Sequence, residues 1–328
     1  MIPRTGTTDF LAASGWAGAE VSPLAGDASF RRYFRVTDRG RRAVLMDAPP
    51  EHEDVRPFIS VADFLVSSGF SAPRLLASDL AQGFLLIEDF GDRLVGPVLS
   101  VEQHLEEETY ATAVDILAHL QRLVPPDDLP PYDRTVLARE VMLFPDWYAK
   151  AAGIQVDADA YLAAWDHVWA GVLEETERNP VVTLRDYHAE NLLLLPDRSG
   201  VQTLGLLDFQ DALAGHAAYD LVSLLQDARR DVSPKLEREM LSRFAKAAQI
   251  ADPVAFRASY EVLGAQRNVK ILGIFVRLRD RDGRAGYVER LPRVWGYTER
   301  NLAHPALAPV RDWFDANVPS SLRAEWCK

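Results

Sequence analysis

The chain has 328 residues, 48% of them apolar and 26% charged, a globular balance that excludes a disordered, fibrous or disulfide-stapled protein. Lys and Arg number 36 against 48 Asp and Glu, and the net charge of −12 argues against nucleic-acid or anionic-membrane partners. The lone cysteine, Cys327, excludes an intrachain disulfide and a thiolate zinc site. No apolar run is long enough to span a membrane and no signal-peptide core is seen, so a cytoplasmic protein is expected.

The first ninety residues predict mainly strands. Residues 19–24 form a short one. In 30–36, Phe30, Arg32, Phe34 and Val36 point one way while Arg31, Tyr33 and Arg35 point the other. The small residues 25–29 make the turn between them. A third strand, 42–47, ends at Pro49-Pro50. A helix follows over 55–68, with Phe58, Val61, Ala62 and Leu65 at helical spacing and Gly69 as its stop. Strands 74–78 and 83–88 close the region.

After Asp89-Phe90-Gly91-Asp92 the pattern turns helical. Helices are predicted over 101–123, 135–152 and 158–177, with Pro125, Pro126, Pro130 and Pro131 breaking the chain between the first two. Short apolar segments at 181–184, 192–195 and 203–207 read as strands, and helices resume from 217. The expected fold is α+β, with a small mainly β lobe at 1–90 and a larger mainly α lobe at 91–328.

The most informative stretch is Leu184-Arg185-Asp186-Tyr187-His188-Ala189-Glu190-Asn191-Leu192, followed by Leu206-Leu207-Asp208-Phe209-Gln210-Asp211. An Asp-x-x-x-x-Asn loop between apolar strands, then Asp-Phe at a strand end, supplies the groups phosphoryl transfer needs. One carboxylate takes or orients the proton of the attacking hydroxyl, and an amide oxygen and a second carboxylate hold Mg²⁺ on the nucleotide phosphates. Singly, these residues read as turn caps. Jointly, in this context, they point to kinase chemistry on ATP.

These motifs resemble the aminoglycoside phosphotransferase and choline-kinase family, which has the two-lobed protein-kinase-like fold. Its catalytic segment reads roughly His-Gly-Asp-x-His-x-x-Asn, then Asp-Phe or Asp-Trp, then Asp-Pro-x-x-Tyr-Asp-Leu. Here Asp186, His188, Asn191, Asp208-Phe209 and Tyr219-Asp220-Leu221 follow in matching order. The resemblance implies that Asp186 is the base, that Asn191 and Asp208 bind Mg²⁺, and that Asp220 braces the loop. Leu184 and Arg185 depart from the family's His and Gly. Further segments, among them Gly26-Asp27-Ala28-Ser29-Phe30-Arg31-Arg32-Tyr33-Phe34-Arg35 and Gln266-Arg267-Asn268-Val269-Lys270, resemble the N-acetylmuramate/N-acetylglucosamine anomeric kinases of cell-wall recycling. That implies ATP-dependent phosphorylation of the sugar's anomeric hydroxyl.

The remaining positions follow from the chemistry. Gly26 and Ser29 would cover the nucleotide phosphates, or form an ordinary hairpin turn. Met46 stands where a strand lysine is expected, so a different cation must meet the phosphates; Arg32 is the candidate, the alternative being an arginine that snorkels to solvent. The main chain of Glu88 and Phe90 would read the adenine edge between Val44, Met46 and Leu207, with the Glu88 and Asp89 side chains as solvated charges. Glu140, Asp146, Trp147, His188, Arg267, Asn268 and Lys270 are the acceptor-site candidates. Arg267 and Lys270 share a helix face and suit a lactyl carboxylate, or form pairs with nearby acids. His188 is alternatively a structural loop histidine. Two other functions fit the same motifs: a phosphotransferase for an aminoglycoside or choline-type amine, and a non-catalytic nucleotide-binding pseudokinase. A monomer acting on a small amino sugar and ATP is expected.

Overall fold

Alternating apolar residues make a strand when one face meets a common core, and this is the case for most of the first ninety residues. The computed structural model describes residues 2–24 and 30–324. Its elements begin with α1 (Thr7–Ala13), β1 (Glu20–Pro23), β2 (Arg32–Asp38), β3 (Arg41–Asp47), α2 (Arg56–Ser67), β4 (Leu75–Asp79) and β5 (Phe84–Glu88). Next come α3 (Val95–Val101), α4 (Glu106–Leu120), α5 (Arg134–Val141), α6 (Ala158–Arg178), β6 (Val181–Thr183), β7 (Leu192–Leu194), β8 (Leu204–Leu206) and β9 (Leu213–Gly215). Helices α7 (Ala218–Leu225), α8 (Pro234–Ala247), α9 (Pro253–Asp280), α10 (Leu291–Leu302), α11 (Ala308–Asn317) and α12 (Ser320–Ala324) complete it. No helix among the described residues is long and apolar enough to cross a membrane.

The chain divides into two compact units, Met1–Thr112 with Glu190–Asp211, and Ala113–Ala189 with Ala212–Lys328. The pattern change near residue 90 is a feature of sequence. By contacts the first unit runs on to Thr112 and takes in the β7–β8 hairpin, which bridges Leu94 through Leu193 and donates the Leu206 N–H to the Ser71 carbonyl at 2.7 Å.

The first unit is built on a five-stranded antiparallel sheet in the order β1-β2-β3-β5-β4. Phe34 faces Leu45 across β2–β3, and Leu45 faces Leu86 across β3–β5. One sheet face, carrying Phe34, Val36, Ala43, Leu45, Phe84 and Leu86, packs on Phe10 and Leu11 of α1 and on Trp16. Helix α1 has no counterpart in the sequence reading. Helix α2 buries the expected Phe58, Val61, Ala62 and Leu65.

In the second unit the helices start where side chains cap them. Asp133, Asp157, Ser233 and Asp252 each accept N–H groups from the first turns of α5, α6, α8 and α9, contributing about 1 kcal/mol apiece. The helix expected over 101–123 is interrupted. It restarts at Glu106, where Glu106, Glu107 and Glu108 sit in the first turn and suit the positive end of the helix dipole. The helix expected over 135–152 also breaks, into α5 and a wide π-type turn over Phe144–Ala149. Pro145 has no N–H to give the Val141 carbonyl, and the Tyr161 hydroxyl donates to that carbonyl instead, at 3.1 Å. The turn lies hard against α9. A Cβ on Gly273 would sit 2.2 Å from the Leu143 carbonyl oxygen, so only glycine fits there. Strand β9 pairs with β6, Val181 opposite Gly215 and Thr183 opposite Leu213. The sequence reading has no strand at 213–215, where Leu213-Ala214-Gly215 forms no apolar run like those of β6, β7 and β8.

Candidate functional site

The ribbon of β6 and β9 carries the loop that holds Asp186. Arg185 adopts φ 72°, and the Asp186 N–H donates to the Leu184 carbonyl at 2.9 Å, a tight γ-type turn. Such a backbone costs about 1–3 kcal/mol in a non-glycine residue and persists only when neighbours hold it. The left-handed φ explains why the resembling family has Gly here. The holding group is Asp220 of α7, whose carboxylate accepts the N–H groups of Leu184 at 2.6 Å and Arg185 at 2.8 Å. The Ser223 hydroxyl donates to the Arg185 carbonyl at 3.2 Å, and the Tyr187 hydroxyl to the Ala113 carbonyl at 2.9 Å. Burial pushes the Asp220 carboxyl up to about 7, against the pull of its two N–H donors. Leu184, in place of the family's His, is buried and contributes only its main chain to this brace. His188 is 2% exposed; burial, then the charges of Arg229 and Arg267, hold its imidazole well below its ordinary value and therefore neutral.

Arg185 leads to a second buried cluster. Its guanidinium pairs with Glu140 of α5, a residue 4% exposed. Glu140 also accepts the Tyr132 hydroxyl at 2.5 Å, Gln266 Nε2 at 2.8 Å and Lys270 Nζ at 3.0 Å. Lys270 donates at 3.0 Å to the Tyr219 hydroxyl. Burial pushes the Glu140 carboxyl up, but Lys270 and then Arg185 overcome it and hold it down at about 2. Burial alone would lower Lys270; Glu140 above all, with a smaller contribution from Asp186, keeps it raised and charged. The cluster of one anion and two cations is net positive.

The other acceptor-site candidates separate into distinct surroundings. Arg267 is 3% exposed on α9, where its charge acts on Asp220 and His188. Asn268 is fully buried in a polar layer between helices, donating to Gln226 Oε1 at 2.8 Å and Asn301 Oδ1 at 3.1 Å. Asp146 and Trp147 lie on the π-type turn and line an open cleft of about 430 Å³ with Lys150, Ala151 and Asp280. Glu140, Lys270, Arg267 and Asn268 are thus internal, whereas Asp146 and Trp147 face solvent.

In the first unit, Asn191 and Asp208 come together. Asn191 Nδ2 is 3.3 Å from Asp208 Oδ2, and the Asn191 carbonyl accepts Leu207 N–H at 3.0 Å. Asp208 sits at φ 57°, held in part by the stack of Phe209 on Phe58 at 5.0 Å between ring centroids. Its other oxygen, Oδ1, takes Gln210 Nε2 at 2.9 Å and Arg31 Nη2 at 3.4 Å. One amide oxygen and one carboxylate are hard donors that suit Mg²⁺, which keeps several of its own waters. Among the described residues no group of three His, Cys, Asp or Glu is gathered for a metal. The Asp208 side chain is 30% exposed and so open to a ligand.

At the positions expected to meet a nucleotide, the two arginines have different partners. Antiparallel register sets Arg32 opposite Asp47, and its Nη2 donates to the Asp47 carboxylate at 2.7 Å. Asp47 is fully buried and is held by Arg4 as well, at 2.5 Å. Arg32 is thereby committed within the sheet, and Arg31, one residue earlier, is the arginine at Asp208. Sequence reasoning missed Arg31 because its turn-side position hides its long-range partner. Val44 and Met46 are buried on β3, and Leu207 is half-buried. The Glu88 N–H is spent on the Arg74 carbonyl at 2.9 Å, and the Glu88 side chain pairs with Arg198 at 2.5 Å. Asp89 is no solvated charge: its side chain is 2% exposed and takes Arg35 Nε at 2.8 Å and Gly91 N–H at 2.8 Å. The Phe90 ring lies under the Arg198 guanidinium at 4.9 Å. Gly26 and Ser29 lie outside the described residues.

The chain is similar to several known proteins. The pattern of the phosphotransferase enzyme family matches residues 20–260. An N-acetylmuramate/N-acetylglucosamine kinase of Caulobacter vibrioides is 37% identical, the alignment covering 96% of each chain. A kinase of the same description from Pseudomonas aeruginosa is 38% identical over 96% of this chain and 94% of its own. Among solved structures, a GDP complex of an aminoglycoside phosphotransferase superposes with a TM-score of 0.64, covering 90% of this chain and 97% of its own at 16% identity. The last likeness establishes the fold, a small antiparallel-sheet unit and a larger helical unit of the protein-kinase-like class.

Proposed function

This chain belongs to the phosphotransferase enzyme family, and we propose that it is an ATP-dependent amino-sugar kinase that phosphorylates the anomeric hydroxyl of N-acetylmuramate, N-acetylglucosamine or both. The observation that carries the proposal is the clamped turn at Leu184–Asp186, which fixes the first carboxylate of the Asp-x-x-x-x-Asn segment through two N–H bonds to Asp220. The relatives' descriptions support the sugar as acceptor.

In this reading Asp186 takes the proton of the anomeric hydroxyl as that oxygen bonds to the γ-phosphorus and the bond to ADP breaks. An anomeric hydroxyl is more acidic than an ordinary alcohol, so little is asked of the base. Asn191 and Asp208 would hold Mg²⁺, which when bound supplies positive charge against the phosphate oxygens. Arg31, beside Asp208, adds a second positive charge on the nucleotide side. The relatives' descriptions favour an amino sugar over a polycationic aminoglycoside or a choline-type amine. The test is ADP release from Mg-ATP with N-acetylmuramate, N-acetylglucosamine, kanamycin and choline. Turnover confined to the two sugars supports the proposal, and turnover only on the amines, or on none of the four, overturns it.

A further inference from the structure

A cavity of about 840 Å³ lies in the second unit, and none of the site residues considered above lines it. Its size falls within the range of small-molecule sites, about 300–1,000 Å³. Valines 168 and 172 of α6, Val181 of β6 and Phe256 of α9 give it apolar walls, and His216 joins them from the turn between β9 and α7.

The charged and the buried polar side chains around it are committed, with one exception. Glu175 takes Arg178 Nη1 at 3.3 Å and Asn179 Nδ2 at 2.7 Å. Asp252 caps α9, and Gln121 Nε2 donates to the Ala248 carbonyl at 2.9 Å. The exception is His216, which is 6% exposed. Its Nδ1 accepts the Ala218 N–H at 3.0 Å, which places the ring proton on Nε2. Among the described residues Nε2 makes no hydrogen bond. Burial pulls this imidazole down to about 4, against a weaker opposite pull from Glu175, so the ring is neutral and its N–H is permanent near pH 7. This N–H is available to an acceptor that enters the cavity.

We propose that this cavity is a binding site for an uncharged small molecule with an apolar body and one carbonyl-type oxygen, which accepts the His216 Nε2–H. Glu175 and Arg178 pair with each other, and Asp252 spends its carboxylate on the first N–H groups of α9. The occupant would lie against the β6–β9 ribbon, three residues before the braced Leu184.

Saturation-transfer NMR with acetanilide and benzamide as probes tests this. Gly171 lines the cavity, and a Cβ there would meet no atom within 4 Å, so Gly171→Phe can start its side chain from that wall without backbone strain. The wild-type chain is expected to transfer saturation to at least one probe. Gly171→Phe should lose that transfer at least fivefold while keeping the wild-type melting temperature and turnover. His216→Phe keeps a ring and removes the donor, and should weaken transfer at least threefold. No transfer to either probe from the wild type, meaning a cavity filled by water only, overturns the proposal. So does undiminished transfer in Gly171→Phe, which decides the matter if His216→Phe does not fold.

Discussion

Glu140→Gln is the substitution that separates a buried brace from a sugar contact. The carboxyl is moved from 4.5 to about 2, and at about 1.4 kcal/mol per pH unit this corresponds to about 3 kcal/mol of stability. Removing one partner from a buried ion pair costs about 3–5 kcal/mol, because the other charge is stranded. Here two charges are stranded, Arg185 and Lys270. At roughly 2–4 °C per kcal/mol for a domain of this size, the melting temperature should fall by roughly 6–12 °C. The folded value is depressed, so this stabilisation is complete above 4.5 and is lost as pH falls towards 2. The wild-type advantage over Glu140→Gln should shrink in the same direction. Because Arg185 precedes Asp186, kcat should fall about tenfold or more with the sugar KM less affected. Adding Lys270→Met to Glu140→Gln removes one stranded cation and should restore more than about 1 kcal/mol relative to additivity. Thermal melts and steady-state kinetics on the four proteins provide the readout. A Glu140→Gln protein that melts within 2 °C of wild type and loses only sugar KM would refute the brace and return Glu140 to the acceptor site.

Three further predictions address the neighbouring groups. Arg31→Ala should raise the ATP KM about tenfold, whereas Arg32→Ala, which leaves buried Asp47 short of a partner, should lower the melting temperature with a smaller KM effect; the reverse pattern contradicts the assignment. Asp220 is raised from 3.8 to about 7, so the folded chain keeps a proton that the unfolded chain releases. The stability of wild type relative to Asp220→Asn should therefore fall as pH rises from 4 to 7, while kcat climbs as the carboxylate becomes able to accept both N–H groups; pH-resolved melts and a flat kcat profile through that window would disagree. Asp208→Asn should abolish most turnover and weaken the binding of Mg²⁺ to the chain, followed by calorimetry, leaving the melting temperature near wild type.

What the sequence made legible was local. Period-two alternation found β2 and the buried face of Phe34 and Val36, although Phe30 lies before the strand and is 61% exposed; helical spacing found α2, and the Asp186 to Asn191 segment stood out because its members are near neighbours in the chain. What it hid was long-range pairing. Arg32 looked available on an apolar face, but Asp47 waits opposite it on β3. Arg185 meets Glu140 45 positions earlier, and Lys270 meets it from 130 positions later, so neither pairing leaves a pattern in any window. Asn268 sits in a buried layer with Gln226 and Asn301, 42 and 33 positions away. The break at Pro145 was readable in principle, since a missing N–H must widen or end a helix. Its rescue by Tyr161 was not.

The most direct measurement of the central claim is the position of the new phosphate. Phosphorus NMR of the product from Mg-ATP and N-acetylglucosamine or N-acetylmuramate should show coupling to the anomeric proton. Asp186→Asn should lower the rate about a thousandfold at an unchanged melting temperature. Phosphate on any other hydroxyl, or an Asp186→Asn rate within tenfold of wild type, would contradict the account.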